Sequence, residues 1–560
     1  MKFLAKILSI KLFILTIVFT SCKDNEIKKK PNIVLIMADD MGYSDMGAMG
    51  GEVKTPNLDA LAEKGILYKQ FYNGARCCPT RASLMTGLYP HQAGMGWMTV
   101  KDLGTESYAG ELNQNCVTIA EVLKDRGYNT CMSGKWHLVS DRNTGQDGDT
   151  NAWPLQRGFD RFFGTLLGSG SYYTPSSLVT QNRLIEAPEG FYYTDAISDT
   201  AVSMIKENMV TGSPFFLYVS YTAPHWPLHA YKDDYEPYLD TYSVGWDSIR
   251  LQRFKHQKAL GIVDKDWILS DRNPGAPAWD SLPDSKKEEM KLRMAIYAAQ
   301  IEVMDRGIGR ILSELEKEGE LDNTLIFFLQ DNGACAEFIS GRNKDLAVFG
   351  TDESFESYRL PWANASNTPF RLFKHWTHEG GISTPLIVHW PEGVVNSGRM
   401  SERPGMLMDI MATCIEVAGI DYPSRFKGNK IHHLEGESLL HSIKNESDER
   451  ESVMYWEHEA NRAVRLQDWK LVLKASEEYP FDGKWELYNL ADDRTETYDL
   501  SETYPEKVEK MKTMWEDWAQ RIKAYPLDNR SWEKRLNDPK ALTRKYLEGT
   551  NSDKSICKVK

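Results

Sequence analysis

The densest set of reactive side chains is Cys77-Cys78-Pro79-Thr80-Arg81-Ala82-Ser83-Leu84-Met85-Thr86-Gly87. A thiol in such a run can act as a nucleophile or be chemically converted into one. Two further clusters, Asp39-Asp40 and Asp331-Asn332-Gly333, are nearly 300 residues apart. Carboxylates and an amide offer only oxygen donors, which suit a hard divalent cation. Three more segments carry candidate proton donors and fixed cations. They are Gly134-Lys135-Trp136-His137-Leu138, Ala223-Pro224-His225-Trp226-Pro227 and the stretch from Phe373 to Gly381, with Lys374 and Glu379. Taken singly, each has an ordinary reading. An acidic pair after a strand is usually a turn, and a lone His or Lys is usually a surface or structural group. They gain meaning only if the fold brings them together.

The elements around these residues predict that it does. Residues 32–37 (NIVLIM) form a continuous apolar run rich in β-branched side chains, which suits a strand covered on both faces. Residues 129–133, 214–221, 324–329 and 385–390 read the same way. Between them lie helical patterns. Thr55 caps one, with Pro56 in its first turn. Others cover residues 117–126, 194–207, 288–317 and 405–417. Buried strands alternating with helices predict an α/β sandwich around a large, mostly parallel sheet. The polar clusters follow strand ends, and open α/β sheets carry their sites at that carboxyl edge. Past residue 444 the texture changes to short strands at 453–457, 463–466, 471–473 and 485–488, then a helix over 505–523. That predicts a catalytic domain over 31–443, a smaller α+β region with an antiparallel sheet over 444–530, and a polar tail over 531–560. Residues 235–283 and 341–369 read as long irregular insertions, suited to lids or substrate walls.

The run from Cys77 to Gly87 resembles the sulfatase signature C-x-P-x-R-x-x-x-(L/M)-T-G. That family belongs to the alkaline-phosphatase-like superfamily. The resemblance covers about Pro31 to Lys523 and looks most like the bacterial arylsulfatases. It implies that Cys77, and not the variable Cys78, is oxidised to Cα-formylglycine by a formylglycine-generating or radical maturation enzyme. A hydrated aldehyde offers two geminal hydroxyls: one attacks sulfur, and the sulfated intermediate later collapses to expel sulfate. The resemblance further implies one Ca²⁺ per chain, held by Asp39, Asp40, Asp331 and Asn332 with the group derived from Cys77. Lys135, His225 and Lys374 would bind sulfate, and Arg81 would hold the formylglycine. His225 would protonate the leaving oxygen, and His137 would take the proton that lets sulfate depart. Trp485 to Leu490 and Asp492-Asp493 also resemble the family's C-terminal region. Two rivals share the fold: a phosphonate or phosphate ester hydrolase, and an inactive binding lipoprotein. Asp160, Arg161, Tyr172, Tyr173, His229 and His378 either line a substrate pocket or are structural.

Of the 560 residues, 41% are hydrophobic and 26% charged, an ordinary globular balance. The net charge is −13, which disfavours a nucleic-acid partner because phosphate backbones need a cationic footprint. The 16 Trp allow exposed rings for carbohydrate, although packing is their commoner use. The chain starts with Lys2, Lys6 and Lys11 and a short apolar run over residues 12–19, a secretory leader over 1–21. Phe19-Thr20-Ser21-Cys22 resembles a bacterial lipobox, so Cys22 is a candidate lipidation site and residues 22–30 a tether. Plain cleavage near Ser21 is the alternative. This predicts export to the periplasm or cell surface, with membrane contact through the lipid alone, and scavenging of sulfated glycans. Eight Cys are too sparse for a disulfide scaffold.

Overall fold

The computed structural model describes residues 29–546. Cys22, its leader and the end of the polar tail lie outside the described residues.

At the centre is β1 (Asn32–Ala38), buried along its whole length. It pairs in parallel with β5 (Phe215–Ser220) on one side and β6 (Thr324–Gln330) on the other. Beyond β5 lie β3 (Asn129–Gly134) and β4 (Arg161–Thr165), also parallel. Beyond β6 lie β7 (Ser383–His389), antiparallel, and then β2 (Ile66–Tyr72). With shorter edge strands these make an eleven-stranded sheet. Val34 and Ile36 face one apolar cluster, built with α1 (Pro56–Lys64), α3 (Tyr193–Thr211) and α5 (Asp284–Lys317). Ile33 and Leu35 face another, built with α2 (Cys77–Thr86) and α6 (Met408–Val417). A parallel sheet buried on both faces has no polar alternation, which is why its strands read as unbroken apolar runs.

The expected α/β sandwich is therefore present, with local differences. Thr55 stands at the start of α1, but its hydroxyl bonds the Gly47 N–H and the Asp59 carboxylate rather than capping the helix. The helix expected over 117–126 is the shorter Ile119–Lys124, closed by a Thr118–Glu121 capping box. The insertion over 235–283 is not irregular. It contains α4 (Gly245–Leu260), which buries Trp246, Ile249, Arg250, Arg253, Phe254 and Gln257. Half of that buried stripe is polar, so the hydrophobic period is masked. Arg253 is accepted there because Asp45 and Glu52 pair with it.

The C-terminal region is an antiparallel meander, β8 (Met454–His458), β9 (Asn461–Leu466), β10 (Trp469–Leu473) and β11 (Trp485–Asn489). Trp515 and Trp518 on α7 (Pro505–Arg521) cover it. A fully buried ionic cluster joins it to the large sheet. Lys470 of β10 lies 2.9 Å from Glu379 and 2.8 Å from Glu496, and Arg494 lies 3.2 Å from Glu379. Burial opposes charge on both Lys470 and Glu379. Lys470 and Arg494 outweigh it at Glu379 and hold that carboxyl at about 2; Glu379 and Glu496 hold Lys470 protonated. Within the described residues the tail is ordered: α8 (Trp532–Asn537) begins at Ser531, whose hydroxyl caps it.

Breaking a buried ion pair from one side leaves an uncompensated charge, at a cost of about 3–5 kcal/mol. Lys470→Ala should lower stability by about that much, read from the midpoint of urea denaturation. A shift below about 1 kcal/mol would mean that the cluster is wet and weak.

Candidate active site

The segments carrying Asp39-Asp40, Cys77, Lys135-His137, His225, Asp331-Asn332 and Lys374 reach the same edge of the large sheet. β1, β5, β6 and β3 are adjacent and parallel, so their carboxyl ends lie side by side. They deliver Asp39-Asp40, His225, Asp331-Asn332 and Lys135-His137 in turn. β7 runs the other way, so it is the segment before it, carrying Lys374, that arrives at this edge. β2 ends here too and leads into α2, whose first residue is Cys77. Thr80 of α2 donates to the Asp331 carbonyl at 2.6 Å and pins the helix over the acidic cluster.

The acids form one network, and all are buried. Asp39 Oδ2 meets Lys135 Nζ and lies 3.2 Å from Arg81 Nη2. Asp40 Oδ1 accepts from Asn332 Nδ2 and Lys374 Nζ, each at 2.7 Å, and its Oδ2 lies 3.4 Å from His225 Nε2. Asp331 Oδ1 accepts from the Asp40 N–H at 3.1 Å, and its Oδ2 faces Arg81 at 3.4 Å. Two acceptors are left over: Asp39 Oδ1 and Asn332 Oδ1 are buried and have no hydrogen-bond partner. Burial would raise Asp39, but Lys135, His225 and Arg81 hold it well below the usual carboxylate range. Asp331 is pushed well up, first by burial and then by the charge on Asp39. A cation among these oxygens would satisfy the orphaned acceptors and remove the repulsion. The donor set is all oxygen and fits a hard divalent ion such as Ca²⁺.

Cys77 and His137 complete the arrangement at the floor of a cleft of about 290 Å³, which His225 and Lys374 also line. A hydrogen bond from Cys78 lowers the Cys77 thiol against burial, and Lys135 and His137 add to the effect. Cys78 itself is pushed up by burial, and its Sγ lies 3.1 Å from His137 Nε2. Two glycines make room. Gly134 has φ +118°, and a Cβ there would sit 2.0 Å from the Ser220 carbonyl oxygen. At Gly168 a Cβ would sit 2.0 Å from the His137 ring. His225 Nδ1 lies 2.6 Å from the Trp226 carbonyl. A carbonyl only accepts, so Nδ1 carries the hydrogen and Nε2 faces the acids.

The sulfatase family profile matches residues 31–420, and one described as N-sulphoglucosamine sulphohydrolase, C-terminal, matches residues 370–523. The chain belongs to the sulfatase family. It is 35% identical over 419 residues to an arylsulfatase of Klebsiella aerogenes, covering 70% of this chain and 88% of that one. It is 31% identical over 528 residues to an uncharacterized sulfatase of Schizosaccharomyces pombe, covering 87% and 93%. Among solved structures, Ps i-CgsB in complex with k-i-k-neocarrahexaose superposes with a TM-score of 0.64 at 26% identity, covering 90% and 95%. The protein is thus a hydrolase of sulfate esters with the alkaline-phosphatase-like fold.

Not every candidate reaches the sulfatase cleft. Asp160 and Arg161 sit at the amino end of β4, the opposite edge of the sheet, and pair with Lys124 and Glu207. His378 turns to Glu486 on β11 at 3.3 Å. Tyr172 is support: its hydroxyl bonds the His225 carbonyl at 2.8 Å and the Thr222 carbonyl at 2.9 Å. His229 and Tyr173 bond the backbone of Ser354 and Gly350. Arg81 lies under the acids, also bonding the Lys135 carbonyl and Ser220. Arg76, Asp141, Glu337 and Trp532, outside every motif in the sequence, line the cleft together with Trp226. Trp226 had a signal, since it lies inside the Ala223–Pro227 motif; the others had none.

Gly168→Ala should displace the His137 ring and cut turnover by about a hundredfold while cooperative unfolding is retained, because misplacements of about 1 Å carry such costs. Wild-type turnover in that variant would show that the ring position is unimportant.

Proposed function

We propose that this sulfatase works through a Cα-formylglycine made from Cys77 and one Ca²⁺ held by Asp39, Asp40, Asp331 and Asn332. The observation that carries the reading is the convergence of these residues on one buried point beside Cys77, with two acceptor atoms left unpaired. Bound there, Ca²⁺ would polarise the nucleophilic hydroxyl and a sulfate oxygen. The aldehyde hydrate would supply that hydroxyl and a second one whose deprotonation releases sulfate.

The chain's own residues do the rest. Lys135 and Lys374 bond Asp39 and Asp40 directly, and with a metal held by those carboxylates their ammonium groups would be available to sulfate. Two lysines and His225 around a tetrahedral oxyanion provide preorganised stabilisation. Arg81 is fixed from below by Asp39, Asp331 and Ser220, and it holds the formylglycine side of the site in place. His225 presents Nε2 and carries the proton for the leaving oxygen. Burial lowers His225, while the charge of Asp40 raises it, and an incoming sulfate adds to the raising side. His137 is kept neutral chiefly by burial, as a proton acceptor must be.

The substrate is a sulfated carbohydrate or an aryl sulfate, and the oligosaccharide bound to the superposed structure supports the former. Export and lipid attachment at Cys22 would place the enzyme at the periplasm or surface of a bacterium, where such substrates arrive intact. A formylglycine-generating or radical maturation enzyme is the one protein partner the reaction demands.

The two histidines should fail in different steps. A general acid is worth about 10²–10⁴-fold, and most when the leaving alcohol is poor. His225→Ala should therefore lose far more activity on sugar sulfates than on activated aryl sulfates. His137→Ala should slow sulfate release equally for all substrates and leave a sulfate adduct visible by intact mass. An equal fractional loss across the leaving-group series in His225→Ala would remove it as the acid.

A further inference from the structure

The cleft has a second half that the chemistry does not use. Cys77, His137, His225 and Lys374 are each at most 5% exposed and form its floor. Nearer solvent it is walled by Arg76, Trp226, Glu337, Asp141 and Trp532. This wall must meet the alcohol part of the ester, because the sulfate is committed to the floor.

Its charge is unusual for a site that takes an anion. Arg76 is its one cation, and Glu337 occupies it at 2.8 Å. Glu337 is held again by Trp226 Nε1 at 2.9 Å, so the pair is neutral and rigid. Asp141 makes no ion pair among the described residues. Thr99 donates to its Oδ1 at 2.7 Å, and among the described residues no group bonds its Oδ2. The wall therefore carries a net negative charge and one open acceptor. A second sulfate or a uronate on the substrate would meet repulsion and no counter-ion.

Its shape is set by the tail. Trp532 is 38% exposed, with its ring 5.2 Å from Trp97 and 5.8 Å from the Arg76 guanidinium. Arg535, one turn on, bonds buried Glu459 and lies over Trp97 at 4.8 Å, which fixes α8 in place. This ring lines the cleft and is partly exposed, so it offers an aromatic surface to a ligand there. The C–H groups of a sugar ring are apolar, carry slight positive charge, and match that surface.

We propose that Trp532 and Asp141 select the alcohol half of the substrate: a neutral sugar ring bearing a single sulfate, stacked on Trp532 with a hydroxyl donating to Asp141 Oδ2. This rests on the reading above that Lys135, His225 and Lys374 hold the sulfate. At about 290 Å³ the cleft is at the small end of ligand sites, which takes one ring rather than a long segment.

The test is kcat/KM on hexose monosulfates covering each ring position, their disulfated and uronic-acid counterparts, and 4-nitrophenyl sulfate, using full-length matured enzyme. The wild type should favour a neutral monosulfate about tenfold or more over its doubly anionic counterpart, the size of one like-charge contact in a half-exposed cleft. Trp532→Ala should raise KM for that sugar about tenfold, more than it lowers kcat, and Trp532→Phe should restore most of the loss. Asp141→Asn should narrow the discrimination against a second anion. Equal rates on neutral and doubly anionic sugars, or an unchanged KM in Trp532→Ala, would overturn the proposal. Turnover of 4-nitrophenyl sulfate with none of any sugar sulfate would overturn it while leaving the formylglycine reading intact. Failure on every sulfate ester by protein with the aldehyde in place would overturn both.

Discussion

Three carboxylates packed at one edge of a dry sheet cannot all stay ionised without cations beside them. Asp39, Asp40 and Asp331 are in that position, and Arg81, Lys135 and Lys374 are the groups that answer them. Arg81 is the most heavily bonded of the three, to Asp39, Asp331, Ser220 and the Lys135 carbonyl. The two lysines are each tied to one carboxylate, Lys135 to Asp39 beneath the cleft and Lys374 to Asp40 at its floor. When an anionic ester arrives, the same lysines cannot neutralise both it and the acids. A divalent ion held by Asp39, Asp40, Asp331 and Asn332 would supply the positive charge that balances the acids, leaving Lys135 and Lys374 able to serve the sulfate. The unpaired oxygens of Asp39 and Asn332 mark where further coordination is available.

The rest of the fold serves that arrangement. Four adjacent parallel strands put residues separated by nearly 300 positions within hydrogen-bonding distance, which no local motif could do. Gly134 and Gly168 clear the space that the backbone and the His137 ring occupy. The segment holding Lys374 is anchored at its far end by Glu379, whose partners Lys470 and Arg494 belong to the C-terminal region. The smaller sheet is thus part of what positions a cation in the cleft, and α8 beyond it supplies a wall.

Much of this was legible because strands buried on both faces leave long apolar runs, and the groups after them are abruptly polar. Asp39-Asp40 after residues 32–37 and Asp331-Asn332 after residues 324–329 stand out for that reason. What stayed hidden was of two kinds. The helix Gly245–Leu260 buries Arg250, Arg253 and Gln257 through partners elsewhere, so its period does not show in hydrophobicity. Trp532 reaches the cleft only through tertiary packing of a polar tail, and nothing near it in sequence signals a site. Asp160 and Arg161 stayed open between pocket and structural roles because sequence does not tell which edge of the sheet a polar residue between elements will occupy; they lie at the start of β4 and not at its end.

The account turns on the carboxylates being a cation site and not a closed salt-bridge network. Calorimetric titration of chelator-treated protein with Ca²⁺, with the thermal midpoint followed in parallel, tests this directly. One Ca²⁺ per chain should bind and raise the midpoint, as any ligand specific to the folded state does. Asp331→Asn should weaken binding strongly, because it removes a charge from the donor set. Absence of binding in the wild type, with a midpoint indifferent to Ca²⁺ and to chelator, would show that the lysines alone balance the acids and would contradict the account.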